Sequence, residues 1–162
     1  VVPLRNMGAA ISPFNSFLIL QGIETLALRM DRICTNSLKI AKYLQKHPRV
    51  RWVNYAGLPD HPSHALAQKY MGGRASGILT FGIDGGRAGG ARFQDALKLF
   101  VRLVNIGDAK SLACHPASTT HRQLNPAELE KAGVSEDMVR LSIGIEHVDD
   151  LLADLEQALA AA

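Results

Sequence analysis

Met138-Val139-Arg140-Leu141-Ser142-Ile143-Gly144-Ile145 alternates between two kinds of position for eight residues. A period of two belongs to a β-strand, with Val139, Leu141, Ile143 and Ile145 on one face and Met138, Arg140, Ser142 and Gly144 on the other. Immediately downstream, Val148, Leu151, Leu152, Leu155, Ala158 and Leu159 fall at helical spacing. Asp149 and Asp150 occupy the first turn, where carboxylates suit the helix dipole. A helix with such a stripe covers the apolar face of the strand before it. Arg140 therefore points away from the packed side.

The same pattern of strand and covering helix extends upstream. Val50 to Tyr55 reads as a strand, Ser63 to Tyr70 as a short helix, and Gly77 to Ile83 as a strand with Leu79, Phe81 and Ile83 inward. Phe93, Ala96, Leu97 and Phe100 place a helix over Arg92 to Phe100, and Arg102 to Ile106 form a further strand. From Phe17 to Lys46, Leu20, Ile23, Ala27, Met30, Cys34, Leu38, Ala41 and Leu44 trace one face of a single long helix, stopped by Pro48. At about 1.5 Å per residue it runs roughly 45 Å, longer than this domain needs, so it is expected to bridge two domains. The stretch from Gly107 to Pro126 has no period and reads as a functional loop.

The fold class is thus α/β (α+β): about four strands joined through helices, with one sheet face left uncovered by any expected helix. The expected division is residues 1–46 for the N-terminal segment and long helix, and 47–162 for a small domain. The start, Val1-Val2-Pro3-Leu4, has no initiator Met and no leader pattern, and reads as the middle of a longer chain.

Composition sets the outer bounds. The 162 residues are 47% hydrophobic and 20% charged, enough for one core and too apolar for disorder. Apolar runs are broken well before the ~20 residues of a membrane span. The net charge of +3 is spread along the chain with few aromatic residues beside it, which argues against nucleic acid. Cys34 and Cys114 are far apart in apolar contexts and read as buried thiols of a reducing compartment, the cytoplasm.

Four groups of residues could carry chemistry. Cys114, His115 and His121, with Cys34 or the His61 and His64 pair, are of zinc-ligand type but lack ligand spacing, so no metal site is expected. Gly85-Gly86-Arg87-Ala88-Gly89-Gly90 resembles a phosphate loop only superficially and reads as a flexible turn. Ser111, His115 or His121, and Asp108 supply the residue types of a hydrolase triad without its nucleophile elbow. Arg140 stands apart, since a guanidinium on the open face of a central strand must meet water, an internal carboxylate or a ligand. Its planar fork suits a ligand carboxylate.

Three stretches resemble the Cys/Met-metabolism branch of fold-type-I pyridoxal-phosphate enzymes. They are Ser12-Pro13-Phe14-Asn15-Ser16-Phe17 with Gln21-Gly22-Ile23-Glu24-Thr25-Leu26, then Asn105 to Leu112 with His115 to His121, and last Val139 to Glu146. The similarity spans essentially the whole chain, and the Ser-Pro-Phe-Asn and Ser-Thr-Thr-His wording points within the family to O-acetylhomoserine sulfhydrylases.

The resemblance implies the C-terminal small domain of such an enzyme, a mostly antiparallel sheet of about four strands with helices on one face, preceded by a long interdomain helix. Arg140 would grip the α-carboxylate of the substrate, with Thr120 and Asn105 helping to position it. Several relatives carry Ser where this chain has Asn105, so its side chain departs from that pattern. The implied reaction replaces the acetate of O-acetyl-L-homoserine with sulfide, giving homocysteine in methionine biosynthesis. Methionine γ-lyase and cystathionine γ-synthase are sibling readings, and a non-catalytic binding module of the same fold is the reading from another class. The implied cofactor is pyridoxal 5'-phosphate, which the family holds through a Lys in a Ser-x-Thr-Lys context. No lysine here has that context, so the cofactor belongs to a large domain upstream, and the chain alone is expected to be inactive. A homo-oligomer, a tetramer in the full enzyme, and an exposed apolar surface from Phe14 to Leu28 complete the expectation.

Overall fold

The computed structural model describes residues 2–8 and 10–162. In chain order the elements are α1 (Val2–Met7), α2 (Pro13–Glu24), α3 (Leu26–Leu44), β1 (Val50–Asn54), α4 (His64–Met71), β2 (Ile78–Ile83), α5 (Gly86–Ala96) and β3 (Val101–Arg102). There follow β4 (Leu112–Cys114), a 3-10 turn (Pro116–Ser118), α6 (Pro126–Lys131), β5 (Met138–Ser142) and α7 (Val148–Ala160). The sheet has five strands in the order β1-β2-β5-β4-β3, with β3 parallel to β4 and the other pairs antiparallel. The expected four strands become five because β4 lies inside the stretch read as a loop. At three residues it is too short to show a period, and its ladder with β5 is what makes it a strand. The strand expected from Arg102 to Ile106 is confined to Val101 and Arg102.

The core lies between the sheet and three helices. Leu79, Phe81 and Ile83 of β2 and Val139 and Leu141 of β5, with Ile143 beyond it, pack on Leu151, Leu155, Ala158 and Leu159 of α7, and all are at most 1% exposed. Ile40, Ala41 and Leu44 of α3 join this cluster, and Phe93 of α5 meets Phe81 edge to face at 5.7 Å. Ile145, expected in the core, lies past the end of β5 and is exposed.

The long helix is two helices. Ser12 caps α2 by accepting from the Asn15 N–H at 3.1 Å, and Pro13 takes the first turn. Thr25 leaves helical geometry, and the Arg29 side chain donates to the Gly22 carbonyl across the break. In α3 only the second half is buried; Cys34, Ala41 and Leu44 of the expected stripe lie there, joined by Ile33, Asn36, Ser37 and Ile40. No residue of α2 is buried; Phe14, Phe17, Leu18, Ile19, Leu20 and Ile23 are all exposed, as are Leu26 and Leu28 at the start of α3. The expected apolar surface is present.

The glycine-rich stretch is not a flexible turn. It forms the first turns of α5, which ends at Ala96 and not at Phe100. The buried carboxylate of Asp154 on α7 sets that end by accepting from the N–H groups of Lys98, Leu99 and Phe100 at 2.9, 2.8 and 3.0 Å. Those donors are thereby withdrawn from helical bonding and the chain is turned into β3.

Candidate carboxylate-binding site

Strand register decides what surrounds Arg140. It pairs with Thr80 of β2 on one side and Cys114 of β4 on the other, and Thr80 pairs in turn with Asn54 of β1. Paired residues share a face, so Asn54, Thr80, Arg140 and Cys114 form one polar row across four strands, opposite the helices. The row continues at Asn54, whose side-chain oxygen lies 2.7 Å from His61 Nε2. Arg140 Nη2 donates to the Asn105 carbonyl at 3.4 Å, and among the described residues the guanidinium has no carboxylate partner. The Asn105 side chain is used locally, accepting from the Ile106 N–H at 2.9 Å.

Thr120 is exposed, and its hydroxyl pairs with His121 Nδ1 at 2.8 Å, so it does not touch Arg140 in this structure. A crevice of about 120 Å3 near Cys114 is lined also by Gln94, Leu103, Val104 and Thr119, and neither Asn105, Thr120 nor Arg140 lines it. Burial pushes the Cys114 thiol up, and the neighbouring Arg140 only partly opposes that shift, so Cys114 is a neutral neighbour to the guanidinium.

A part-buried network that no local sequence pattern announces holds the Asn105 arm. Glu146 accepts from the Ser111 N–H at 2.6 Å and from its hydroxyl at 2.9 Å, while Ser111 Oγ accepts from the Gly144 N–H at 2.8 Å. Asn36 of α3 donates to the Gly144 and Glu146 carbonyls at 3.1 and 3.0 Å. The end of β5, the loop before β4 and the buried half of α3 are thus tied together beside Arg140. The polar types at Ser111 and Glu146 were visible in the sequence, but nothing local announced their partnership.

This network also disposes of the triad. Ser111 is committed to Glu146, His115 is held between Ser118 Oγ at 2.9 Å and the Glu136 carbonyl at 2.8 Å, and Asp108 accepts from the Lys110 N–H at 3.1 Å. That last bond, ahead of smaller contributions, holds the Asp108 carboxyl below its ordinary range. Among the described residues no cluster of three metal-ligating side chains exists. Cys34 and Cys114 are both free and buried, as expected.

The residues present suit a carboxylate and do not suit the cofactor the resemblance implies. A Schiff-base lysine must be sheltered beside a phosphate cradle, and every lysine of this chain is exposed. The site has a guanidinium on an open sheet face with a backbone acceptor beside it, and the model of the Cys/Met metabolism PLP-dependent enzymes matches residues 2–160. The chain belongs to that family. O-acetyl-L-homoserine sulfhydrylase 1 of Thermus thermophilus is 53% identical over 157 residues, covering 97% of this chain and 37% of the relative. An L-methionine gamma-lyase of Pseudomonas deceptionensis is 51% identical over 154 residues, covering 95% of this chain and 38% of the relative. A crystal structure of a candidate O-acetylhomoserine (thiol)-lyase from Campylobacter jejuni, which contains a pyridoxyl-lysine monophosphate, superposes with a TM-score of 0.88 at 46% identity. The match covers 97% of this chain and 37% of that one. The family member described here therefore spans little more than a third of the length of these relatives. No described helix is long and apolar enough to cross a membrane.

Proposed function

We propose that this chain holds the α-carboxylate of the substrate for a pyridoxal-phosphate-dependent O-acetylhomoserine sulfhydrylase, in which sulfide replaces the acetate of O-acetyl-L-homoserine to give homocysteine. The observation that carries this reading is Arg140 on the uncovered face of β5, without a carboxylate partner among the described residues and backed by the Asn105 carbonyl. A guanidinium placed there fixes a carboxylate by two parallel hydrogen bonds and so sets the orientation of the whole amino acid. Asn105 acts through its backbone, and Thr120 is the further residue that positions the substrate.

Cofactor and catalytic lysine lie outside this chain in the proposed enzyme, so the chain alone neither holds pyridoxal phosphate tightly nor turns over. The exposed apolar side of α2 supports residues 1–46 as the segment that meets the rest of the enzyme and 47–162 as its small domain. The working form is a homo-oligomer, a tetramer, in the cytoplasm, where two buried free thiols such as Cys34 and Cys114 stay reduced.

The 51% identity to a methionine γ-lyase supports a second reading, which needs the same carboxylate grip and differs in the groups exchanged at the γ-carbon. Assay of the full-length enzyme with O-acetyl-L-homoserine plus sulfide, against L-methionine alone, separates the two. Arg140→Ala is expected to raise KM for the amino acid roughly a hundredfold, the scale of losing a charge-paired contact of about 2–5 kcal/mol. An unchanged KM removes Arg140 from the site, and faster turnover of methionine than of O-acetylhomoserine selects the lyase.

A further inference from the structure

Thr80 is the residue that the row across the sheet leaves without an explanation. It stands directly opposite Arg140 in the β2–β5 pairing and on the same face, away from the helices. Its neighbours in sequence, Leu79 and Phe81, point into the core and are at most 1% exposed. The Thr80 hydroxyl is shielded from solvent and has no hydrogen-bond partner among the described residues. A strand position that needed only shape and β-branching would be served by Val, which costs nothing in unpaired polar atoms. A buried hydroxyl with no partner is a donor held ready for something the chain does not itself contain.

The surroundings say what that partner must be. The adjacent guanidinium supplies positive charge, Asn105 lends a carbonyl that repels any second acceptor from its own side, and Cys114 flanks Arg140 on the far strand. An acceptor-rich anion on Arg140 would have one oxygen within the span of neighbouring strands, where cross-strand side chains meet. We infer that Thr80 is a further substrate-binding residue, its hydroxyl donating to an oxygen of the carboxylate that Arg140 holds. This rests on the reading of Arg140 given above and adds a third donor to the fork of two. A third bond from a fixed strand position removes the freedom of the carboxylate to swivel in the guanidinium plane, and thereby selects α-amino acids over substrates lacking the carboxylate.

The test uses the full-length enzyme and three variants, Thr80→Val, Thr80→Ser and Arg140→Ala. Thr80→Val keeps the β-branched shape and is expected to raise KM for O-acetyl-L-homoserine about tenfold, equivalent to ~1.4 kcal/mol. It should leave kcat within about twofold and KM for sulfide unchanged, and Thr80→Ser, which restores the hydroxyl, should recover most of the loss. A purely structural role would not separate two unreactive probes, L-norleucine and pentylamine, which is norleucine without its carboxylate. The inference expects Thr80→Val to weaken inhibition by norleucine and to leave inhibition by pentylamine, which has no oxygen to accept from Thr80, unchanged. If Arg140→Ala raises KM and Thr80→Val does not, or if both probes weaken alike, Thr80 is not a ligand of the carboxylate and the inference is overturned while the Arg140 reading stands. If Arg140→Ala itself has no effect on KM, the carboxylate site is misplaced and both fall.

Discussion

Glu146 holds Ser111 by two bonds at once, accepting from its backbone N–H on one carboxylate oxygen and from its hydroxyl on the other. Thirty-five residues apart in sequence, the two fix where the loop before β4 leaves the sheet, and that loop presents the Asn105 carbonyl to Arg140. Glu146→Ala strips acceptors from two donors in a part-buried site, each of which costs about 1–3 kcal/mol when left unpaired. The expected outcome is a loss of ~2–3 kcal/mol in chemical denaturation, with KM for the amino acid rising more than kcat falls. Glu146→Gln keeps one acceptor and should fall between. A change in stability below about 0.5 kcal/mol, the range of ordinary surface substitutions, would mean that the tether is incidental.

Gly89 and Gly90 carry a second prediction, because α5 is seated by their lack of side chains. A Cβ on Gly89 would lie 2.1 Å from the Asp84 carbonyl oxygen, and one on Gly90 would lie 2.6 Å from Cδ2 of the His115 ring. The first obstacle is backbone, and the second is a ring pinned at both nitrogens by Ser118 and Glu136. Gly90→Ala is expected to destabilise by ~1–3 kcal/mol as overpacking does, and Gly89→Ala by more. Gly22→Ala in α2 is the control: nothing lies within 4 Å of the added methyl, and helix propensity favours Ala by about 0.5–1 kcal/mol. Thermal melts that rank the three otherwise would remove steric seating as the reason for these glycines.

Those glycines also mark where sequence reading stops. Glycine suggests flexibility by composition, yet here it answers a close approach from Asp84 and His115 that only the tertiary structure supplies. β5 and α7 were legible because Val139, Leu141, Leu151 and Leu155 have a period set by a single buried face. β4 was not, since Leu112, Ala113 and Cys114 are a strand by virtue of their partner. The orientation of Arg140 followed from alternation alone, whereas its neighbours Thr80 and Cys114 are products of register, which pairs residues far apart in the chain. The single long helix failed at Thr25, where the apolar step continues through the break. α2 buries nothing, so the spacing of its apolar residues did not report on this core.

Tyr55 provides a prediction in pH. It is 3% exposed, and its hydroxyl donates at 3.0 Å to the carbonyl of Ser76, a non-glycine residue in the left-handed region at φ 80°. Burial first, then the neighbouring Cys34, push its phenol above the ordinary value of 10.0. The folded state thus holds this proton more tightly than the unfolded state. The stability it contributes is fully present below the ordinary phenol range and is lost as pH rises from there through the higher folded value. The denaturation midpoint should show no slope from Tyr55 between about pH 7 and 9, and a falling one above about pH 10. Tyr55→Phe should cost ~1 kcal/mol at neutral pH, the worth of one hydrogen bond, and flatten the alkaline limb. Cys114, also raised by burial, ionises in the same direction and keeps some slope in the variant. An alkaline limb as steep in Tyr55→Phe as in the parent would assign the whole pH dependence to other groups, and leave the phenol a packing element that ties Ser76 in place.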